Sequence, residues 1–164
     1  MRVFKPPVEV PKNPPEVSVF LAGSIEMGKA VDWQKELTDY VSKNVSVPTL
    51  ICNPRRDDWD SSWEQSINNK EFVRQVGWEM SNILRCDIVV FFIQADTKSP
   101  ITLLELGLVA TDALAGKKKV IVCCEEGFFR KGNVDIVSAC FQMQAVKNLE
   151  ELKKALGDMI MNGL

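Results

Sequence analysis

Histidine is absent from this chain of 164 residues. Its absence excludes a histidine general base, Ser–His and Cys–His nucleophilic catalysis, and every metal site that needs an imidazole ligand. Any acid–base chemistry must therefore come from aspartate, glutamate, lysine or cysteine side chains, or from the single tyrosine.

Metal-binding cysteine patterns are also missing. The five cysteines are Cys52, Cys86, Cys123, Cys124 and Cys140, and no two of them form a Cys-x-x-Cys pair. This spacing disfavours a zinc site. Buried, reduced thiols are typical of a cytoplasmic protein, which is the location we expect.

Long hydrophobic runs and an excess of positive charge are lacking too. No apolar run approaches the roughly 20 residues that a membrane span needs, and we expect neither a signal peptide nor a membrane partner. The net charge of −2 leaves no basic footprint for a nucleic-acid polymer. What is present is an ordinary globular composition with 46% apolar residues, enough for one domain with a real core.

The order of elements predicts an α/β fold. Five of the eight prolines lie in residues 1–15, so we expect an extended arm there, followed by a single domain over residues 16–164. The domain contains five runs rich in Val, Ile, Phe and Cys that predict strands covered on both faces: Val17–Ala22, Val47–Cys52, Asp87–Ile93, Lys119–Cys124 and Gln142–Val146. Helical patterns lie between and after them: Glu26–Lys43, Asn69–Leu84, Pro100–Ala115, Val134–Phe141 and Leu149–Met161.

This alternation indicates a parallel sheet of five strands in a flavodoxin-like, three-layer α/β/α sandwich. Ligands of such sheets bind beyond the carboxyl ends of the strands. Candidate site residues are therefore sought where strands end and helices begin.

Glu105 is the first candidate for catalysis. Ser99 and Pro100 predict a helix start, with the Ser99 hydroxyl capping the first free amides. An apolar stripe then follows at helical spacing: Ile101, Leu104 and Leu108. Glu105 lies on or beside this stripe, where a carboxylate must lose water or find partners. The alternative is a partly exposed glutamate at the edge of the stripe.

Two further acidic residues precede it in the chain. Glu79 lies on the preceding helix beside Trp78, as a site acid or as a solvated residue of the helix surface. Asp87 begins the third predicted strand, where it caps or orients a turn or contacts the ligand.

A glycine turn follows the first strand. Residues 23–30 nearly match the phosphate-binding loop GxxxxGK[ST], but Ala30 replaces the final hydroxyl and Glu26 places negative charge where phosphates would lie. A nucleotide-phosphate loop is therefore disfavoured. The amides of Gly23 and Ser24 remain candidates to contact a ligand oxygen, and the alternative is a plain strand-to-helix turn.

The polar segment 53–68 is too long to be a simple connection. Its arginines either pair with the neighbouring aspartates to hold the loop or belong to a wall that binds a planar ring. In that second interpretation Trp59 or Trp63 stacks on the ring while Asn53 or Arg56 reads its edge.

Taken together, these segments resemble the nucleoside 2-deoxyribosyltransferases and their N-glycosidase relatives, most of all the group called nucleoside 2-deoxyribosyltransferase-like. The resemblance spans roughly residues 17–137. The matching runs are Val19–Ile25, Asn53–Arg56 with Asp58–Trp59, Gln75–Glu79, Cys86–Val90 and Ser99–Gly107.

The resemblance implies cleavage of the N-glycosidic bond of a (2-deoxy)nucleoside, without a metal or cofactor. Glu105 takes the position of the nucleophile, which forms a glycosyl ester and passes the sugar to another nucleobase or to water. Glu79, eight residues before Asp87, takes the position of the acid that protonates the base. Ser99, six residues before the nucleophile, takes the position that binds sugar hydroxyls or phosphate. The expected substrate-binding residues are Gly23, Ser24, Asn53, Arg56, Asp58, Trp59, Asp87, Ser99 and Asn133.

Substrate form and assembly follow from the same resemblance. Glu26 stands where relatives that cleave monophosphates have an arginine, so we expect a nucleoside, with Arg55, Arg56 or Arg130 as alternative phosphate ligands. Active sites of the family are completed by a neighbouring subunit, which predicts a homo-oligomer with Asn133, in the segment 128–133, as the contributed residue. The alternative function is a non-catalytic nucleoside- or nucleotide-binding module on the same fold.

Overall fold

A computed structural model of the chain, described over residues 1–25, 31–56 and 58–163, alternates strands and helices. The strands are β1 (Arg2–Phe4), β2 (Val17–Gly23), β3 (Thr49–Cys52), β4 (Ile88–Ile93), β5 (Lys119–Cys124) and β6 (Gln144–Val146). The helices are α1 (Trp33–Asn44), α2 (Lys70–Arg85), α3 (Pro100–Leu114), α4 (Lys131–Cys140) and α5 (Leu149–Met161). The predicted α/β class and the predicted order of elements are confirmed.

All six strands are parallel, in the order β1-β3-β2-β4-β5-β6. Without β1, this is the strand order of flavodoxin-like sheets. The strand order reverses at β2, which has β3 on one side and β4 on the other. Chains leaving β2 and β4 at their carboxyl ends therefore diverge and leave a crevice between them.

Two hydrophobic cores cover the two faces of the sheet, as a three-layer sandwich requires. On one face, side chains of α2, α3 and α4 pack on the sheet, including Trp78, Val109 and Val134. On the other face, α1 and α5 contribute Trp33 and Leu156, among others. Strand β4 is buried along its whole length because both layers cover it, which explains its unbroken apolar sequence.

The sheet has one strand more than predicted. Residues 2–4 lie in the arm, and they pair with β3 in the register Arg2↔Leu50 to Phe4↔Cys52. The prolines that indicated an extended arm begin only at Pro6, so they do not prevent pairing before it. Two further contacts hold β1 in place. Arg2 forms a bidentate ion pair with Glu16, at 2.7 and 3.0 Å, and the backbone N–H of Asn53 donates to the Phe4 carbonyl.

Side-chain caps explain where several helices begin. The Asn69 side chain accepts from two amides of the first turn of α2, and Asn148 accepts from the Glu151 amide in α5. Asp32 caps α1, so this helix begins at Trp33. The part of the predicted first helix at Glu26–Ala30, with the near-match to a phosphate loop, lies outside the described residues. No helix in the described ranges is long and apolar enough to span a bilayer.

Candidate active site

The candidate site lies at the carboxyl edge of the sheet, where the strand order reverses. Ser24 directly follows β2, and residues 94–99 connect β4 to α3. The backbone N–H of Ser24 donates to the Phe92 carbonyl, and the backbone N–H of Gln94 donates to the Ser24 hydroxyl. These bonds hold the two diverging connections together at the crevice in which open α/β sheets bind ligands.

Gly23 makes this close approach possible. Its φ is 153°, and an added Cβ would meet the carbonyl oxygen of Phe92 and come within 2.8 Å of the Trp33 ring. The glycine is therefore required by packing of the backbone. The Trp33 indole also donates to the Ser24 carbonyl at 3.0 Å, which fixes the residue that follows.

Three buried hydroxyls meet beside Gly23. The Ser24 oxygen lies 2.9 Å from the Thr97 hydroxyl and 2.7 Å from the Ser99 hydroxyl, and the last two are 2.8 Å apart. All three residues are buried. Because Thr97 also donates to the Gln94 carbonyl, the cluster is anchored to the strand end. The result is a compact, buried cluster of hydroxyls near the start of the helix that carries Glu105.

Ser99 does not cap α3, contrary to the prediction. Its backbone is left-handed, with φ 43° and ψ 48°, and its side chain makes no capping bond to the first turn of α3, all of which is described. The hydroxyl instead bonds to Ser24 and Thr97. A left-handed serine costs on the order of 1–3 kcal/mol and persists only where its surroundings hold it, as at many functional sites.

Glu105 is buried in α3, with 5% of its surface exposed. The alternative of a partly exposed glutamate is therefore wrong. Burial, together with the negative charge of Glu79, raises the pKa of Glu105 to about 8. A carboxyl whose pKa lies so far above its ordinary value is a candidate for chemistry.

Glu79 lies on α2, half-buried, and is near enough for its negative charge to act on Glu105 of α3. Burial raises the pKa of Glu79, and a hydrogen bond from the Gln75 amide opposes that rise. Both carboxyls therefore keep their protons to higher pH than a free glutamate does. The structure thus brings together the two residues expected to be catalytic.

The loop after β3 begins with an Asn turn. Asn53 is buried, and its side-chain oxygen accepts from the Arg55 amide at 2.9 Å. Arg55 in turn donates to the Val31 carbonyl and to the Gln34 side chain, which ties the loop to the start of α1. In these contacts both residues hold the loop.

Arg56 and two tryptophans contact one another in the loop after β3. Arg56 makes a bidentate ion pair with Asp58, at 2.8 and 2.7 Å, and its guanidinium lies 5.0 Å from the Trp63 ring. Trp59 and Trp63 contact edge to face, with ring centres 5.2 Å apart. The ion pair agrees with the interpretation in which an arginine pairs with a neighbouring aspartate to hold the loop, and the binding of a planar ring stays a prediction.

Asp87 is not brought to this site. It precedes the first residue of β4, at the opposite, amino edge of the sheet. Its carboxylate accepts from both the amide and the hydroxyl of Ser18, at 2.8 and 2.6 Å. The expected role in substrate binding is thus replaced by a structural one that joins the starts of β2 and β4.

Asn133 is exposed in the first turn of α4, which follows β5 at the carboxyl edge. The neighbouring Phe129 is 60% exposed, with the Arg130 guanidinium 5.3 Å from its ring. The segment 128–133 thus reaches the surface.

Two residues of the site were missed in the sequence. Thr97 joins the hydroxyl cluster, and Gln75 hydrogen-bonds to Glu79 from one helical turn earlier. The spacing of four residues between Gln75 and Glu79 was the available signal for the second. No group of three potential ligands that could hold a metal ion occurs among the residues described here.

Comparisons with known proteins agree with this picture. Residues 16–128, more than half of the chain, match the family described as nucleoside 2-deoxyribosyltransferase like. No curated protein matches the sequence significantly. A similar solved structure is that of a conserved protein from Enterococcus faecalis V583, with a TM-score of 0.57 and 12% identity, over 85% of this chain and 96% of that one. At that identity the likeness concerns the fold alone. The match over residues 16–128 shows that the chain belongs to the nucleoside 2-deoxyribosyltransferase-like family.

Proposed function

We propose that this protein cleaves the N-glycosidic bond of a (2-deoxy)nucleoside, with Glu105 as the nucleophile and Glu79 as the acid. The observation that carries the proposal is a buried carboxyl, with 5% of Glu105 exposed, beside a second carboxyl on a neighbouring helix. Membership of a deoxyribosyltransferase-like family supports the same class of reaction.

The pair is suited to this reaction when it retains one proton. With that proton on Glu79 and the charge on Glu105, the C1′–N bond breaks, its electron pair goes to the base nitrogen, and the base takes the Glu79 proton. The Glu105 carboxylate stabilises the positive charge that develops on the sugar, and one of its oxygens forms the new bond to C1′. A second base or water then attacks C1′ and gives its proton to Glu79, and Glu105 leaves as a carboxylate.

The remaining site residues supply binding in this proposal. We expect the sugar to bind at the start of α3, where Ser24 and Ser99 bond to each other and Gly23 keeps the strand ends close. The loop after β3 binds the base, with Trp59 as its aromatic surface and with Asn53, Arg56 and Asp58 as its polar groups.

A nucleoside suits the described arginines better than a 5′-monophosphate. Arg55 is engaged with the start of α1, and Arg56 with Asp58. Arg130 lies over the ring of Phe129. A nucleoside leaves all of these contacts in place.

Turnover is tested with a panel of deoxynucleosides, ribonucleosides and 5′-monophosphates, each with and without a second free base. Release of base in water alone identifies a hydrolase, and a new nucleoside formed only with the acceptor identifies a transferase. Glu105→Gln is expected to abolish either product, and Glu9→Gln, at an exposed glutamate of the N-terminal arm, is the matched control. A glycosylated peptide containing Glu105, detected by mass spectrometry after acid quench, would identify the ester. Unchanged turnover in Glu105→Gln would refute the mechanism, and saturable binding without product would identify a non-catalytic binding module instead.

Shared active sites are tested by mixing inactive variants. If Asn133 from a neighbouring subunit completes the site, Glu105→Gln and Asn133→Ala proteins should regain part of the activity after unfolding and refolding together. Sedimentation analysis gives the subunit number. A monomer with full activity would exclude this arrangement.

A further inference from the structure

Gln75 is a buried residue that neither the family pattern nor the proposed reaction assigns a role. It lies on α2, with 3% of its surface exposed, one turn before Glu79. Residues four apart on a helix share a face, so its side chain reaches the Glu79 carboxyl. Its Nε2 atom lies 2.8 Å from Glu79 Oε1 and 3.2 Å from the Pro54 carbonyl oxygen.

These two contacts determine the orientation of the Gln75 amide. The Pro54 carbonyl can only accept a hydrogen bond, so the NH₂ group must face it. The second hydrogen of the same group is donated to Glu79 Oε1. A flipped amide would place its oxygen against two acceptor oxygens, so the orientation is set by chemistry.

A fixed donor on Glu79 Oε1 has a consequence for the acid. That oxygen accepts a hydrogen bond in either protonation state, so a proton carried by Glu79 is held on Oε2. Because the donor favours the charged form, it opposes the effect of burial on the pKa of this carboxyl.

The same amide connects the acid to the base-binding loop. Pro54 lies between Asn53 and the Arg55 amide that closes the Asn turn, so the loop and the carboxyl share one anchor. Two other charged groups act here: Glu105 on α3, and Glu71 two turns earlier on α2, whose charge acts on Arg56.

We propose that Gln75 is the positioning residue for Glu79. Gln75 holds the Glu79 carboxyl beside the loop after β3 and determines which carboxyl oxygen delivers the proton. The catalytic part of this inference rests on the proposed function. The effect on the Glu79 carboxyl does not, because it is measurable without turnover.

The test uses Gln75→Met, which keeps the length of the side chain but removes the donor. In protein labelled with ¹³C at glutamate carboxyls, the Glu79 titration should move to higher pH in this variant. Asn82→Leu is the matched control, a buried amide on the same helix whose side chain bonds only to the Trp78 carbonyl and to Arg85 among the described residues. It should leave the Glu79 titration in place.

With a substrate in hand, Gln75→Met should lower kcat by at least about tenfold with a small change in KM, and move the alkaline limb of the rate profile upward. In a Glu79→Gln background the same substitution should have no further effect on kcat, because the two residues act as one unit. An unmoved Glu79 titration in a folded Gln75→Met protein overturns the inference. If the Glu79 titration moves in Gln75→Met but the natural protein turns over no nucleoside, the positioning role stands and the proposed function is refuted.

Discussion

The burial of Glu105 makes the stability of the protein depend on pH in a direction opposite to that of most carboxylates. Its pKa is about 8 in the folded chain, against an ordinary value of 4.5. As pH rises, the unfolded chain releases this proton first, so the free energy of unfolding falls between these two values. The group contributes full stability below pH 4.5, and this contribution is lost by the time the pH exceeds 8.

The size of this loss follows from the two pKa values. At about 1.36 kcal/mol for each tenfold change in proton affinity, the free energy of unfolding falls by about 3 kcal/mol between acidic pH and pH 7, because the unfolded chain ionises while the folded Glu105 keeps its proton, and by about 5 kcal/mol above pH 9. Glu105→Gln keeps the shape of the side chain and removes the charge. We therefore expect the variant to gain stability relative to the natural chain as the pH is raised from 5 to 9.

Urea denaturation of both proteins at pH 5, 7 and 9 measures this gain. Glu9→Gln, at an exposed glutamate of the N-terminal arm and outside the site, is the control and should show no such trend. If the stability difference between Glu105→Gln and the natural chain stays constant from pH 5 to pH 9, the claim that burial raises the pKa of Glu105 is refuted. A rising difference would show that the chain retains a costly carboxyl, as active sites often do.

Three further outcomes are expected. Gly23→Ala should destabilise the fold by about 3 kcal/mol because the added Cβ has no space. Gly77→Ala, where the added Cβ lies in open space on α2, should stabilise the fold by about 0.5–1 kcal/mol, and thermal denaturation compares the two variants. Ser99→Ala should lower the free energy of unfolding by about 1–2 kcal/mol because the hydroxyl contacts are lost, and Ser99→Gly should lower it less because glycine suits the left-handed backbone. Equal losses for the two variants in urea denaturation would argue against backbone strain at Ser99. The profile of kcat/KM against pH should be bell-shaped, because Glu105 must lose its proton to attack C1′ and Glu79 must keep its proton for the base, so that the alkaline limb reports proton loss from Glu79; activity that does not fall at high pH would refute the role of Glu79 as the acid.

Local sequence was sufficient for most elements of the fold. Lys119–Cys124 and Leu149–Met161 were predicted with the bounds that the structure has, because continuous apolar runs and helical spacing are local signals. The strand Arg2–Phe4 was missed, since a strand of three residues carries no period and exists only through its partner, β3.

The candidate site divides in the same way. The sequence by itself determined the alternation of strands and helices, the family resemblance, and the choice of Glu105 and Glu79, because these depend on residue types and their order. Only the tertiary structure decided that Ser99 turns its hydroxyl to Ser24 and that Asp87 lies at the far edge of the sheet. It alone decided the pKa of Glu105, because desolvation and the charge of a neighbour come from residues that are distant in the chain and meet only when the helices pack.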